Sequence, residues 1–171
     1  MSPQLRQRIA VGLLSMSAAG FGAWKASEGF TDHAVIPTKG DVPTLGYGST
    51  RWEDGTAVKM ADTITRPRAE VLARNLNSQA EKEFAASLPG VKLYQEEFDV
   101  YLDFVGQYGM GTWRKSSMRR YLTDGNYVGS CEALLLYRFA AGYDCSTPGN
   151  RRCPGVWTRQ LERNAKCRAA Q

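Results

Sequence analysis

Between Thr31 and Ser49 the chain cannot run as a helix. Pro37, Gly40, Pro43, Gly46 and Gly48 interrupt it every few residues. Each either removes a backbone donor or frees the chain for left-handed turns. The short apolar stretches between these breakers read as a small twisted hairpin or a three-stranded sheet. Gly46 and Gly48 serve either a bulge or the close approach of a bulky ligand. Just before this stretch, Glu28 stands at a helix edge beside an apolar surface made by Trp24 and Phe30.

Beyond the hairpin the pattern turns helical. Thr65 reads as an N-cap with Pro67 in the first turn. Ala69, Leu72, Leu76 and Ala80 then recur at three or four, which predicts an amphipathic helix to about Ala86, stopped by Pro89-Gly90. A second helix is expected over 95–107, with Phe98, Leu102 and Val105 inside. Further helices are expected over 114–122, 127–141 and 156–166, the middle one burying Ala133, Leu134, Tyr137 and Ala141. The fold class is therefore α+β: mostly helical, with a small β lobe joined by a long helix to a helical lobe. A chain of 171 residues can bury a core without help.

Residues 9–24 carry no charge, and nine of the sixteen are Gly, Ala or Ser. As a helix they would span about 24 Å, short of a ~30 Å hydrocarbon core. Three readings fit: a cleavable signal peptide, a buried core helix, or a weak anchor that exports the chain and later lets go. The division expected is an N-terminal segment over 1–24 and a folded domain over 25–171. Arg6 and Arg8 would hold the N-terminus in the cytoplasm and send the rest outward.

All four cysteines, Cys131, Cys145, Cys153 and Cys167, lie in the last third. With an export-like N-terminus an even count reads as disulfides, for which three pairings are possible. Nesting is expected, with Cys145–Cys153 closing a Pro/Gly/Asn-rich loop and Cys131–Cys167 joining two helices. The spacings and the single histidine, His33, suit no zinc site. The net charge of +5 favours an anionic partner such as a cell wall or membrane face. Arg114, Arg119, Arg120, Arg151, Arg152, Arg159, Arg163 and Arg168 concentrate it in the helical part. No nucleic-acid motif accompanies it, so nucleic acid is not an expected partner.

An acid at a helix edge, followed by a hairpin carrying Asp41 and Thr44, suits hydrolysis of a sugar polymer. One carboxyl can protonate a leaving oxygen while a second carboxylate and a hydroxyl hold water. Glu28-Gly29-Phe30 and Thr44-Leu45-Gly46-Tyr47-Gly48 resemble the phage-type lysozymes, glycoside hydrolase family twenty-four. Their site reads Glu, then Asp, then Thr ahead of a Gly-x-Gly string. The family's Asp position falls here on Thr38, and its frequent His after the Gly-x-Gly is Ser49. Asp41 is the favoured second carboxylate, because a Lys39-Gly40 turn would set it beside the strand carrying Thr44. Asp32 is the other candidate.

The resemblance spans roughly 24–167 and implies a lysozyme-like fold and a phage endolysin. Such a muramidase hydrolyses the β-1,4 bond between N-acetylmuramic acid and N-acetylglucosamine in peptidoglycan, without metal or cofactor. Glu28 would be the acid, with Asp41 and Thr44 holding the water. Gln107 stands where the family has Asn, and with Trp113 and Tyr47 is a candidate sugar contact. A helix-end amide and a buried indole are the ordinary alternatives for the first two. Some members carry a signal-anchor that releases, which residues 9–24 resemble. The expected state is then a monomer tethered to the inner membrane of a Gram-negative host, silent until it is freed into the periplasm. A lytic transglycosylase and a non-enzymatic wall-binding lysis protein are the alternatives.

Overall fold

The computed structural model describes residues 6–171; the first five residues of the expected N-terminal segment lie outside them. In order come β1 (Ile9–Ala10), a short 3-10 turn (Val11–Leu13), α1 (Ala18–Glu28), β2 (Thr31–Val35), β3 (Thr44–Gly46) and α2 (Arg66–Ala86). Next are β4 (Lys92–Leu93), α3 (Gln95–Lys115), α4 (Ser117–Thr123), α5 (Tyr127–Ala133), β5 (Phe139–Ala140), β6 (Tyr143–Asp144) and α6 (Pro154–Ala169). The chain divides into two compact units, one over Ser17–Lys82 and one formed by the residues up to Met16 with Glu83–Gln171. The mostly helical α+β class expected from the sequence is what is found.

In the Ser17–Lys82 unit, the Ser17 hydroxyl caps α1 by accepting from the Gly20 amide at 2.9 Å. β2 and β3 pair antiparallel with Thr31 opposite Gly46 and Val35 opposite Thr44. The two spans differ in length, so β2 bulges. Residues 62–64 run along its other edge, with the Ala34 amide on the Asp62 carbonyl and the Ile64 amide on the Asp32 carbonyl. α2 starts at the expected cap, the Arg68 amide reaching the Thr65 hydroxyl at 3.4 Å. It turns Ala69, Leu72 and Ala73 inward with Leu45. Gly46 is required there, because a Cβ on it would lie 3.0 Å from the Ala69 Cβ.

The other unit is built on α3, whose Phe98, Tyr101, Leu102 and Phe104 are buried. Phe84 and Trp113 pack into the same core, their ring centroids 5.0 Å apart. α3 runs past the expected end at Gln107 and kinks at Gly109, where φ is 78°. Only glycine takes that conformation cheaply, so the helix bends and resumes.

The expected helix over 127–141 stops at Ala133. A 3-10 turn over Leu134–Leu136 comes next, then the β5–β6 hairpin. Ala141 and Gly142 both have positive φ, the backbone of a tight two-residue hairpin turn. The nested disulfides are present, Cys131–Cys167 and Cys145–Cys153, each with Cα atoms 5.5 Å apart.

The apolar run over 9–24 is not one helix. It divides among β1, the 3-10 turn and most of α1, and no helix among the described residues is long and apolar enough to cross a membrane. Its first part is an edge strap on the Glu83–Gln171 unit. Ile9 pairs with Leu93 and Ala10 with Lys92, and the Val11 amide donates to the Val91 carbonyl. The adjoining Arg8 guanidinium grips the fully buried Glu97 through two bonds of 3.0 and 3.1 Å. It lies over the rings of Tyr94 and Tyr127 at 4.3 and 3.7 Å.

Candidate active site

Glu28 is the last residue of α1. Gly29 at φ 72° ends the helix and turns the chain into β2. Phe21 buries the inward face of α1, and Glu28 is left exposed at its tip. Across from it the string after Thr44 closes on itself. The Leu45 and Ser49 backbones exchange two hydrogen bonds of 3.0 Å, with Gly46 and Gly48 at positive φ between them. This tight turn brings the bare backbone of Gly48 against the acid, where an added Cβ would sit 3.2 Å from the Glu28 Oε2. Trp24 and Phe30, expected as an apolar wall, meet at Tyr47, with ring centroids 6.4 and 5.5 Å from its own.

Tyr47 itself is 5% exposed. Trp24 and Phe30 pack against it at tilted angles, so its ring is buried in the turn. Its hydroxyl lies 3.5 Å from the Glu70 Oε1, which also takes the Lys25 ammonium at 2.7 Å. Nothing in the sequence marks Glu70 for this place. It stands one turn into an ordinary amphipathic helix, and its partners are distant along the chain.

Asp41 closes a turn of the expected kind. Its amide donates to the Thr38 carbonyl at 2.9 Å with Gly40 at φ 89°. The carboxylate is exposed and accepts the Val42 amide at 2.9 Å. Thr44, half-buried, reaches the Val35 carbonyl at 3.4 Å. By register, Thr44 lies further along β3 from the acid than Gly46 does. Asp32 is engaged differently, bonding His33 Nδ1 at 2.6 Å, and that bond holds its carboxyl below the usual range. It lines a groove of about 590 Å³ with Phe30, His33 and Thr63–Arg66.

In the other unit, the Gln107 amide oxygen accepts from the buried Arg163 at 2.7 Å. Trp113 is wholly buried, its indole N–H donating to Ser87 at 2.8 Å. Phe84 and Tyr101 cover the indole, so it belongs to the core and not to a sugar-stacking surface.

Residues 25–161 match the family model described as phage lysozyme. The endolysin of Salmonella phage P22 is 28% identical over 128 residues, covering 75% of this chain and 86% of that protein. Among solved structures, a P22 lysozyme point mutant superposes with TM-score 0.72 at 25% identity, covering 90% of this chain and 98% of that one. The endolysin of Escherichia coli phage FAHEc1 gives 0.71 at 28% identity, covering 91% and 94%. The family match spans most of the chain and contains Glu28, the glycine turn and nearly all of the residues through α5. This chain therefore belongs to the phage lysozyme family, and is a glycoside hydrolase of the muramidase, endolysin type.

Proposed function

We propose that Glu28 donates a proton to the glycosidic oxygen between N-acetylmuramic acid and N-acetylglucosamine, while Asp41 and Thr44 hold the attacking water. In this scheme water forms a bond to C1 from the face opposite the departing oxygen as the C1–O bond breaks. The water's proton passes to the Asp41 carboxylate and the Glu28 proton goes to the leaving sugar, so the anomer inverts. The observation that carries the reading is the side-chain-free turn at Gly48 against the Glu28 carboxylate, which leaves the acid room to meet a leaving oxygen. Clearing of a purified peptidoglycan suspension, with the product anomer followed by NMR, tests it. Glu28→Gln should lose roughly 10²–10⁴-fold in rate with its melting temperature unchanged. Undiminished clearing by that variant would falsify the assignment.

The place of action in this proposal is the host periplasm, reached through residues 9–24 as a releasable anchor. Two features support it: the uncharged, small-residue-rich run, and the alternative seat that Ile9–Ala10 has on β4. One segment cannot lie in a bilayer and pair with Lys92–Leu93 at the same time, so leaving the membrane and docking the strap are coupled. While tethered, Glu28 lies close behind the anchor at the headgroup level, where glycan cannot reach it. Specific activity in membrane-bound and released fractions measures this, and equal values would end the idea.

A further inference from the structure

We propose that Glu70 is a positioning residue for the acid, tying the helix that carries Glu28 to the turn that faces it; this rests on the assignment of Glu28 as the proton donor. The general acid must be held within a fraction of an ångström of its productive place, yet Glu28 is the last residue of α1, where helices fray. One tie on that final turn is Lys25, three residues back and so on the same face as Glu28.

The Lys25 ammonium lies 2.7 Å from Glu70 Oε1. The same oxygen faces the Tyr47 hydroxyl at 3.5 Å, and Tyr47 is the direct neighbour of Gly48, the residue against the acid. One carboxylate oxygen on α2 therefore joins a residue one turn before the acid to the residue beside the glycine it faces. The surrounding packing is firm. Ala69, next to Glu70, leaves no room for a side chain on Gly46. Phe21, buried under α1, has Arg74 over its ring at 4.2 Å. The hydrogen bond from Lys25 holds the Glu70 carboxyl below its usual range, so Glu70 is ionised at neutral pH.

A merely structural role predicts something different. The Lys25 and Glu70 side chains are 24% and 39% exposed, and part-exposed pairs stabilise folds little. Removing Glu70 should therefore leave melting nearly unmoved while misaligning the acid.

The test uses the full chain on a soluble, uncross-linked glycan fragment of peptidoglycan, with Glu70→Ala, Lys25→Met, the swapped pair Lys25→Glu/Glu70→Lys, and Glu28→Gln. Glu70→Ala and Lys25→Met should each lower kcat about tenfold. KM should stay within about twofold, the sign of an interaction realised in the transition state. The swapped pair should recover most of the loss. Wild-type kcat in Glu70→Ala overturns the proposal, as does a loss that tracks the melting temperature and is not recovered by the swap. Glu28→Gln separates the two readings. If it stays active, the acid assignment fails and the positioning role goes with it. If it is dead while Glu70→Ala is normal, only the positioning role fails.

Discussion

Gly48 lies so close to Glu28 that a methyl group added to it would sit 3.2 Å from the carboxylate Oε2. That contact joins the two segments recognisable in the sequence, the acid motif and the glycine string. It also makes position 48 a sensitive probe of the acid's placement.

Gly48→Ala should cost activity more than stability. The crowded atom is the end of a flexible side chain, so Glu28 gives way and the acid moves; a loss of about tenfold or more in kcat is expected. The backbone at φ 77° adds about 1 kcal/mol of strain. Gly46→Ala is the contrast, because its crowded neighbour is the Ala69 Cβ, fixed to a helix backbone. It should lower the melting temperature clearly further than the change at 48.

Asp41→Asn and Asp32→Asn decide the second carboxylate. Asp41 sits on the turn leading into Thr44, whereas Asp32 is bound to His33 in the groove lined by Phe30 and residues 63–66. Hydrolysis rates on peptidoglycan should fall roughly 10²-fold or more for Asp41→Asn and change little for Asp32→Asn. The reverse order would move the water-holding role to β2.

Arg8→Ala should destabilise the fold although Arg8 lies far from Glu28 in sequence. Glu97 is fully buried, and removing its partner leaves a buried charge short of compensation. The cost expected is ~2–3 kcal/mol, below the full-burial figure because the Arg8 end is partly solvated. Urea unfolding of the purified protein measures it. Arg8→Lys should recover only part, since an ammonium lacks the planar two-nitrogen fork that meets both Glu97 oxygens.

Glu53 gives a pH signature. The Arg68 guanidinium, through two bonds of 2.7 and 2.8 Å, pulls its carboxyl down to about 2. A folded-state value below the unfolded one stabilises above the unfolded value of 4.5, and that contribution fades as the pH falls toward 2. Melting curves of wild type and Glu53→Gln should therefore differ at pH 7 and converge near pH 2. A constant gap across that range would rule this out.

How much of the structure is legible in one dimension varies with the range of the interaction. The start of α2 at Thr65, the break-rich hairpin and the Thr38–Asp41 turn can be read from a few adjacent residues, which settle them through caps and permitted φ values. The pairing Cys145–Cys153 belongs with these, since its loop is short. The helical spacing of Ala133, Leu134, Tyr137 and Ala141 misleads by contrast, because it does not carry a helix past Ala133. Tyr137 instead packs edge-on against Phe104 at 4.6 Å, and the Ala141-Gly142 turn reverses the chain.

The residues themselves thus determined the class of fold, the acid motif, the glycine string and the cysteine framework, all of them short-range patterns of shape and chemistry. Only packing decided that Trp113 and Tyr47 lie inside, that Glu70 links Lys25 to the glycine turn, and that Ile9–Ala10 lie on β4. Burial and charge pairing depend on which distant surfaces meet, and the spacing of residues along a chain does not encode that meeting locally.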